Sequence, residues 1–401
     1  MSELAVWMYG QRVGDLTRSR GRLSFRYTPG LELGAPLVSV AMPVLSTPWR
    51  GSVVHAFFNG LLPEGEARRM LAYDFGQIDP ADVMGMLAAL GRDCAGALVI
   101  LEGDEEPPAN GEPEPIEEAD IAERLRRLRI EPLGAGGRVR VSLAGMQAKL
   151  LLAKTPDGWA LPVDGAPSTH ILKPATPMLA DSVRIEGYCL RVAAELGLEV
   201  AHCEVSSFDG IEVLVVERYD RVPHDGATER VHQEDLCQAS GVEPEAKYEA
   251  RGGPGLRACA RVLREWSDPA ELWRLLDLTV LNVALGNPDA HAKNFALLHE
   301  RSGRVRLSPA YDIIATLHDP RVSTEAGMSV NGQSDISRIT RGDLVAEGAS
   351  WGLAAERCQE RVDDLLDRLP GARDRAGRAL RPSPEALAAI RDQTRRLTVS
   401  S

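Results

Sequence analysis

GNPDAHAKN, at residues 286–294, follows an apolar run of helical character. Gly-Asn-Pro is a strong signal for the end of a helix and the start of a turn. The stretch holds five polar or ionisable side chains, at positions 287, 289, 291, 293 and 294. A helix-ending turn with solvated polar groups is the plain alternative, but it does not explain this density of Asp, His, Lys and Asn. The stretch is therefore the leading candidate for a functional loop.

The spacing of Asp289 and Asn294 carries chemical meaning. They are five positions apart, which is the separation between the base and the metal-binding asparagine in protein-kinase catalytic loops. A predicted hairpin follows, and Asp312 comes after it, where a kinase places its second metal ligand. Amide and carboxylate oxygens suit Mg²⁺. The combination predicts a phosphoryl-transfer site.

Such a site also needs a cation for the phosphates. Lys173 ends the apolar run at 170–172 and precedes Pro174, so it lies at the end of a predicted strand. The following predicted helix, at 181–196, carries Glu186. We predict that Glu186 pairs with Lys173 and positions it over the phosphates. The alternative is a surface lysine and an exposed helix glutamate.

A covering loop is the third requirement of a phosphoryl-transfer site. Between two predicted strands lies SLAGMQAK, residues 142–149, in which Ser142, Lys149 and backbone N–H groups can meet phosphate oxygens. The loop has one glycine, Gly145, rather than the three of a Gly-rich kinase loop. An ordinary hairpin is the alternative interpretation.

The rest of the chain predicts an α+β fold. Short β-prone runs fill 5–42, helical patterns fill 53–90, and strands return from 138. A hairpin is predicted at 203–217, and the sequence pattern beyond about residue 232 predicts mainly helices. A β-rich lobe followed by an α-rich lobe suits a cleft between the two.

Composition excludes several classes of protein. The 401 residues have 44% hydrophobic and 26% charged content, which excludes wholesale disorder, and the formal charge of −12 argues against broad nucleic-acid binding. No apolar stretch has the length of a membrane span, and no signal peptide is visible. Six scattered cysteines without CxxC favour a reducing compartment. We therefore expect a cytoplasmic protein that does not bind membranes.

Lysine is rare in this chain. Only five of the 46 basic residues are lysines, at positions 149, 154, 173, 247 and 293. Each retained lysine therefore raises the question of why arginine does not stand there. For Lys154 and Lys247 the interpretation is chance.

Six ordered motifs resemble the HipA family of serine/threonine kinases, the toxins of type II toxin–antitoxin modules. They are SLAGMQAK at 142–149, HILK at 170–173, VERYDR at 216–221, QEDLCQ at 233–238, DAHAKN at 289–294 and YD at 311–312. FFNGLLPE at 57–64 and GRDCAGAL at 91–98 resemble the N-terminal subdomain of the family. The resemblance implies a two-lobed protein-kinase-like fold, with a β-rich N-lobe, an N-terminal subdomain and an all-α C-lobe.

The implied domain organisation has four parts. Residues 1–102 are the N-terminal subdomain, and 103–137 are an acidic linker and a helix. Residues 138–231 are the kinase N-lobe with its phosphate-binding loop. Residues 232–401 are the helical C-lobe with the catalytic loop.

The resemblance also implies a role for each matching residue. Asp289 is the catalytic base, Asn294 and Asp312 bind Mg²⁺, and Ser142 is the autophosphorylation site. The residues expected to bind ATP are Ser142, Gly145, Lys149, Lys173, Glu217, Tyr219, Asp220, Gln233, His291, Lys293, Asn294, Tyr311 and Asp312. Within that set, Glu217 and Tyr219 border the adenine, while Asp220 and Gln233 reach the ribose.

The implied partners are a small HipB-like antitoxin with a DNA-binding helix-turn-helix and a protein substrate, with aminoacyl-tRNA synthetases in the substrate class. Operator DNA is expected only through the antitoxin complex. One alternative is a catalytically silent corepressor of that antitoxin. Another is a metal-dependent hydrolase that uses Asp289, His291 and Asp312.

Overall fold

The computed structural model describes residues 2–31, 38–107, 111–224 and 227–399. Part of the predicted acidic linker, residues 108–110, lies outside these ranges. The elements fall into three groups along the chain: two are built around antiparallel sheets and the third is mainly helical.

The first group is a five-stranded sheet covered by three helices. Its strand order is β4-β3-β2-β1-β5, and every neighbouring pair is antiparallel. The strands are β1 (Ser2–Met8), β2 (Gln11–Ser19), β3 (Arg22–Tyr27), β4 (Trp49–Arg50) and β5 (Leu98–Glu102). The helices are α1 (Ser52–Gly60), α2 (Gly65–Asp74) and α3 (Val83–Leu90).

The second group is a six-stranded sheet with two helices. Its strand order is β10-β11-β9-β7-β8-β6. The strands are β6 (Glu114–Pro115), β7 (Leu150–Thr155), β8 (Gly158–Leu161), β9 (His170–Pro174), β10 (Cys203–Phe208) and β11 (Ile211–Glu217). The helices are α4 (Glu118–Arg127) and α5 (Ser182–Glu195).

The third group is mainly helical. Its helices are α6 (Leu256–Trp266), α7 (Ala270–Leu285), α8 (Arg341–Ser350), α9 (Ala355–Ala379) and α10 (Pro384–Val399). Its strands are β12 (Arg221–His224), β13 (Ala227–Arg230), β14 (His232–Asp235), β15 (Ala296–His299), β16 (Val305–Leu307), β17 (Glu325–Val330) and β18 (Gln333–Asp335).

The α+β class is confirmed, but the prediction of an all-α C-lobe needs correction. Residues 232–401 contain a three-stranded sheet in the order β14-β15-β16 and the hairpin β17-β18. The pairing of β14 with β15 joins residues 61 to 67 positions apart, such as Gln233 and Leu298. A strand of four residues whose partner is that distant leaves almost no local sequence signal.

Two hydrophobic cores position the site between the groups. Residues 133–163 contribute Val139, Val141 and Leu151 to the core of the first sheet, so chain from beyond the predicted boundary at 102 packs there. Helix α5 packs against α9, and its buried face shares a core with α7 and with Leu214 of β11. The second sheet and the helical group are therefore held together beside Lys173 and Glu186.

Candidate active site

The loop at 286–294 is shaped by short polar contacts. Gly286 ends α7 with a φ of +77°, and a Cβ there would meet Leu317 at 2.8 Å, so glycine is required. Asn287 accepts a hydrogen bond from the Asp289 backbone N–H at 3.1 Å. The Asn294 amide donates to the Asp289 carbonyl at 3.0 Å. These contacts fix the backbone of Asp289, whose side chain is exposed.

Lys173 lies between two carboxylates. Its Nζ donates to Glu186 Oε1 on α5 at 2.7 Å and to Asp312 Oδ1 at 2.7 Å. The side chains of Lys173 and Glu186 are 11% and 3% exposed, whereas that of Asp312 is 40% exposed. The predicted Lys–Glu pair is therefore present, and it extends to the residue predicted as the second metal ligand.

The electrostatics of this triad keep the lysine charged. Burial by itself lowers the pKa of Lys173, but the attraction of Asp312 and Glu186 outweighs burial and holds that pKa above its ordinary value. Burial by itself raises the pKa of Asp312, and the charge of Lys173 overcomes this and lowers it. Burial raises the pKa of Glu186. A charged lysine thus lies beside the carboxylate of Asp312, which is 40% exposed.

The predicted phosphate-binding loop closes on itself and on the first domain, by which we mean the first group of elements, β1–β5 with helices α1–α3. Lys149 Nζ donates to the Ala144 carbonyl at 2.7 Å. Gly145 has a φ of +109°, and a Cβ there would lie 2.7 Å from Lys149 Nζ. Burial, followed by the charge of Lys173, lowers the pKa of Lys149 to about 8. Lys149 is the more easily deprotonated of the two lysines.

Ser142 does not face the cleft in this conformation. Its side chain is fully buried, and its Oγ donates to the Leu61 carbonyl at 2.7 Å. Its backbone N–H donates to the Asp93 carbonyl at 2.9 Å. The expected ATP contact and modification of Ser142 both require the loop to leave this position.

Two tyrosines and a glutamine meet where an adenosine is expected. The Tyr219 hydroxyl donates to Gln233 Oε1 at 2.5 Å, and the rings of Tyr219 and Tyr311 lie 5.7 Å apart. The Tyr311 hydroxyl donates to the Lys293 carbonyl at 2.7 Å. Glu217 ends β11 with an exposed side chain. The structure thus brings Tyr219, Gln233 and Tyr311 together.

Asp220 and Lys293 do not join the exposed set. Asp220 is buried, and its carboxylate accepts from Arg218, from the Gly96 N–H at 2.7 Å and from Gln233 at 3.1 Å. Lys293 is also buried and donates to Asp235 at 3.0 Å. Because both side chains are buried and already paired, Asp220 and Lys293 stabilise the structure around the site and do not line its exposed surface.

His291 is buried beside the exposed Asp289. Its ring lies 5.0 Å from the Tyr248 ring, edge to face at 85°. Burial lowers its pKa, so the imidazole is neutral at physiological pH. Its buried Nδ1 has no hydrogen-bond partner within the described residues. His291 therefore has a buried ring nitrogen whose hydrogen-bonding capacity is not used within the described residues.

Sequence reasoning missed Tyr248, Lys247 and Glu64. The Tyr248 hydroxyl donates to Asp289 Oδ1 at 2.6 Å. Lys247 is buried and pairs with Glu64 at 3.1 Å. The rarity of lysine was the usable signal, because Lys149, Lys173, Lys247 and Lys293 all lie around this cleft. Treating Lys247 as chance was wrong.

Asn294 and Asp312 fit a magnesium ion chemically. Asp312 keeps an exposed carboxylate with Oδ2 free of protein partners among the described residues, and the Asn294 side-chain oxygen is likewise free. No group of three or more His, Cys, Asp or Glu suited to a metal occurs in the described ranges. A metal held here therefore takes its remaining ligands from phosphates and water, as Mg²⁺ does in kinases. The described residues give no support to the hydrolase alternative, which uses Asp289, His291 and Asp312 with a transition metal held by His291.

Comparison with known proteins identifies the family. Residues 4–101 match the HipA N-terminal domain, and residues 141–372 match the HipA-like C-terminal domain. The chain belongs to the HipA family. Y4mE of Sinorhizobium fredii, named as a candidate kinase, is 38% identical to it over 91% of this chain and 89% of its own length.

Two further HipA relatives come from Shewanella oneidensis. The serine/threonine-protein kinase toxin HipA is 27% identical over 80% of this chain and 76% of its own length. A solved complex of HipA, HipB and operator DNA from Shewanella oneidensis MR-1 matches with a TM-score of 0.85 at 23% identity, covering 98% of this chain and 95% of that one. The structural match confirms the two-lobed HipA-like fold.

No helix in the described part of the chain combines the length and apolar character needed to cross a membrane.

Proposed function

We propose that this HipA-family chain is a Mg-ATP-dependent protein serine/threonine kinase that acts as the toxin of a toxin–antitoxin module. One observation carries the proposal: Lys173 Nζ lies 2.7 Å from both Glu186 and Asp312. A lysine fixed by a helix glutamate next to a metal-binding aspartate is the arrangement that kinases use to hold ATP phosphates. The carboxylate of Asp289 is exposed.

Each residue then has a task in phosphoryl transfer. The acceptor hydroxyl oxygen bonds to the γ-phosphorus of ATP, the bond from that phosphorus to the β–γ bridging oxygen breaks, and ADP leaves. The hydroxyl proton passes to the Asp289 carboxylate. Lys173 neutralises the α/β-phosphates. Asn294 and Asp312 would hold Mg²⁺, which neutralises charge on the phosphates when bound.

The nucleotide base and ribose are assigned to the far end of the cleft. Glu217 ends the connection between the lobes and borders the adenine through its backbone or side chain. Tyr219 and Tyr311 supply aromatic walls, and Gln233 supplies amide groups. His291, whose buried Nδ1 has no hydrogen-bond partner among the described residues, is assigned to the phosphate side.

Autophosphorylation at Ser142 is the proposed off-switch. A phosphate on Ser142 adds about 1.5–2 negative charges. The Ser142 side chain is fully buried and its Oγ donates to the Leu61 carbonyl, so a phosphate on Ser142 forces the loop out of this position. Lys149 and the loop N–H groups then no longer cover the ATP phosphates.

The intact mass of the purified chain before and after incubation with Mg-ATP tests this proposal. Wild type is expected to gain one phosphate that maps to Ser142, while Ser142→Ala gains none. Ser337→Ala, which changes an exposed serine away from the site, serves as the matched control and is expected to behave like wild type. A phosphate found elsewhere keeps the kinase but overturns the role of Ser142. An unmodified starting mass that never changes in any variant contradicts the kinase.

A HipB-like helix-turn-helix antitoxin is the proposed partner, with operator DNA bound through that antitoxin. The support is the likeness to the HipA of the HipA–HipB–operator complex. The proposed target is a protein whose modification stops translation, such as an aminoacyl-tRNA synthetase. If the alternative of a silent corepressor holds instead, Asp289→Asn leaves both operator affinity and growth unchanged.

A further inference from the structure

The hydroxyl of Tyr248 occupies one oxygen of the proposed catalytic base. It donates to Asp289 Oδ1 at 2.6 Å. Asp289 Oδ2 has no hydrogen-bond partner among the described residues, and the side chain is exposed. One carboxylate oxygen is therefore tied while the other is open to an incoming hydroxyl.

The ring of Tyr248 is held on several sides. It meets His291 edge to face at 5.0 Å, and the guanidinium of Arg251 lies 5.3 Å from its centroid. The Lys247 ammonium is 5.8 Å from the same centroid. Because these contacts hold the ring in place, the Tyr248 hydroxyl has a fixed direction. The hydroxyl of an exposed serine, or a water molecule, would be free to reorient.

The segment that carries Tyr248 is anchored by the first domain. Lys247 forms a buried ion pair with Glu64 at 3.1 Å. Glu243, near the start of the segment, is bound by His55 at 2.7 Å and by Asn59 at 3.0 Å. Residues 55–64 therefore contact the segment 243–248 near both of its ends. A contact chain runs from the first domain to Asp289.

We propose that Tyr248 is a positioning residue that holds the Asp289 carboxylate in its reactive orientation, and that the first domain sets this orientation through the Glu64–Lys247 pair. The proposal rests on the proposed kinase function. A base must be fixed within hydrogen-bond reach of the acceptor hydroxyl, and small displacements reduce rate strongly. Tying Oδ1 to a rigid ring fixes the carboxylate plane and leaves Oδ2 for the proton.

The test measures two quantities for each variant and compares them with wild type. One is the maximal rate of phosphate incorporation into the chain, and the other is the Mg-ATP concentration that gives half that rate. Tyr248→Phe keeps the ring on His291 and removes only the hydroxyl. We expect its maximal rate to fall about 10- to 100-fold, with the half-saturating Mg-ATP concentration unchanged. Lys247→Gln releases the anchor and is expected to show the same pattern with a smaller loss. Tyr188→Phe, which removes a hydroxyl that donates to the Arg373 carbonyl of α9, is the matched control and keeps the wild-type rate.

The outcomes separate this proposal from the kinase function itself. If Asp289→Asn is inactive but Tyr248→Phe runs at the wild-type rate, the kinase stands and the positioning role is overturned. A phosphate that maps to Tyr248 also overturns it, because Tyr248 is then an acceptor. If Tyr248→Phe fails to fold, Lys247→Gln decides by the same comparison. If wild type incorporates no more phosphate than Asp289→Asn, both proposals fall.

Discussion

Lys173→Met is expected to reduce phosphoryl transfer at least about 100-fold and to destabilise the fold by about 3 kcal/mol. The first effect follows because a preorganised cation facing the phosphates is lost. The second follows because Glu186, which is 3% exposed, is left without its 2.7 Å partner, and breaking a buried ion pair is strongly destabilising. Rates of phosphate incorporation and denaturant unfolding measure the two effects.

A double variant separates the two effects of losing Lys173. Lys173→Met combined with Glu186→Gln removes the unpaired buried charge, so we expect stability to recover in part while activity stays lost. Lys154→Met, at an exposed lysine 4.0 Å from the Trp159 ring, is the matched control and should retain wild-type activity. Full activity in Lys173→Met would show that Lys173 does not hold the phosphates.

Asp93→Asn is expected to cost about 3–5 kcal/mol of stability at neutral pH. Asp93 is fully buried and pairs with Arg221 at 2.9 Å, Arg230 at 3.2 Å and Arg218 at 3.4 Å. Its removal leaves Arg218 and Arg221 with Asp220 as their remaining carboxylate. The network joins the first domain to the connection between the lobes, so its loss also loosens the adenine end of the cleft.

The pH dependence of this variant has a definite sign. Burial by itself raises the pKa of Asp93, but the three arginines outweigh it and hold that pKa far below its usual range. A carboxylate with a depressed native pKa stabilises above its unfolded pKa of about 3.9 and loses that contribution as the pH falls further. The gap in unfolding free energy between wild type and Asp93→Asn should therefore be constant near neutrality and narrow below about pH 4.

A matched surface variant controls for the chemistry of the substitution. Asp164 pairs with Arg138 while more than half exposed, so Asp164→Asn should leave stability almost unchanged. Equal losses in Asp93→Asn and Asp164→Asn would contradict the account of the buried network. Denaturant unfolding across the pH range is the measurement for both.

Local patterns predicted much of the fold. The hairpin around Asp209 and Gly210 was predicted at 203–217 and is observed as β10 and β11, because turn residues flanked by apolar alternation encode it in sequence. The helix predicted at 181–196 is α5, preceded by Asp181. The Lys173–Glu186 contact was also predictable, since it spans only a strand and the next helix.

Long-range partners account for what the sequence could not predict. Ser142 is buried because its hydroxyl meets Leu61, 81 positions earlier. Asp220 was expected at the ribose, but the arginines and the Gly96 N–H occupy its carboxylate. Tyr248 reaches Asp289 across 41 positions. None of these pairs has a spacing rule, so only the folded structure reveals them.

The role of Asp289 as the catalytic base is tested by the rate of phosphoryl transfer from Mg-ATP by wild type and Asp289→Asn at saturating nucleotide. We expect a loss of at least about 100-fold in Asp289→Asn with unchanged nucleotide affinity, because the proton acceptor is removed and the phosphate contacts remain. Asp364→Asn, at an exposed aspartate on α9, controls for the substitution and should match wild type. Equal rates for wild type and Asp289→Asn would contradict the assignment of this cleft as a kinase active site.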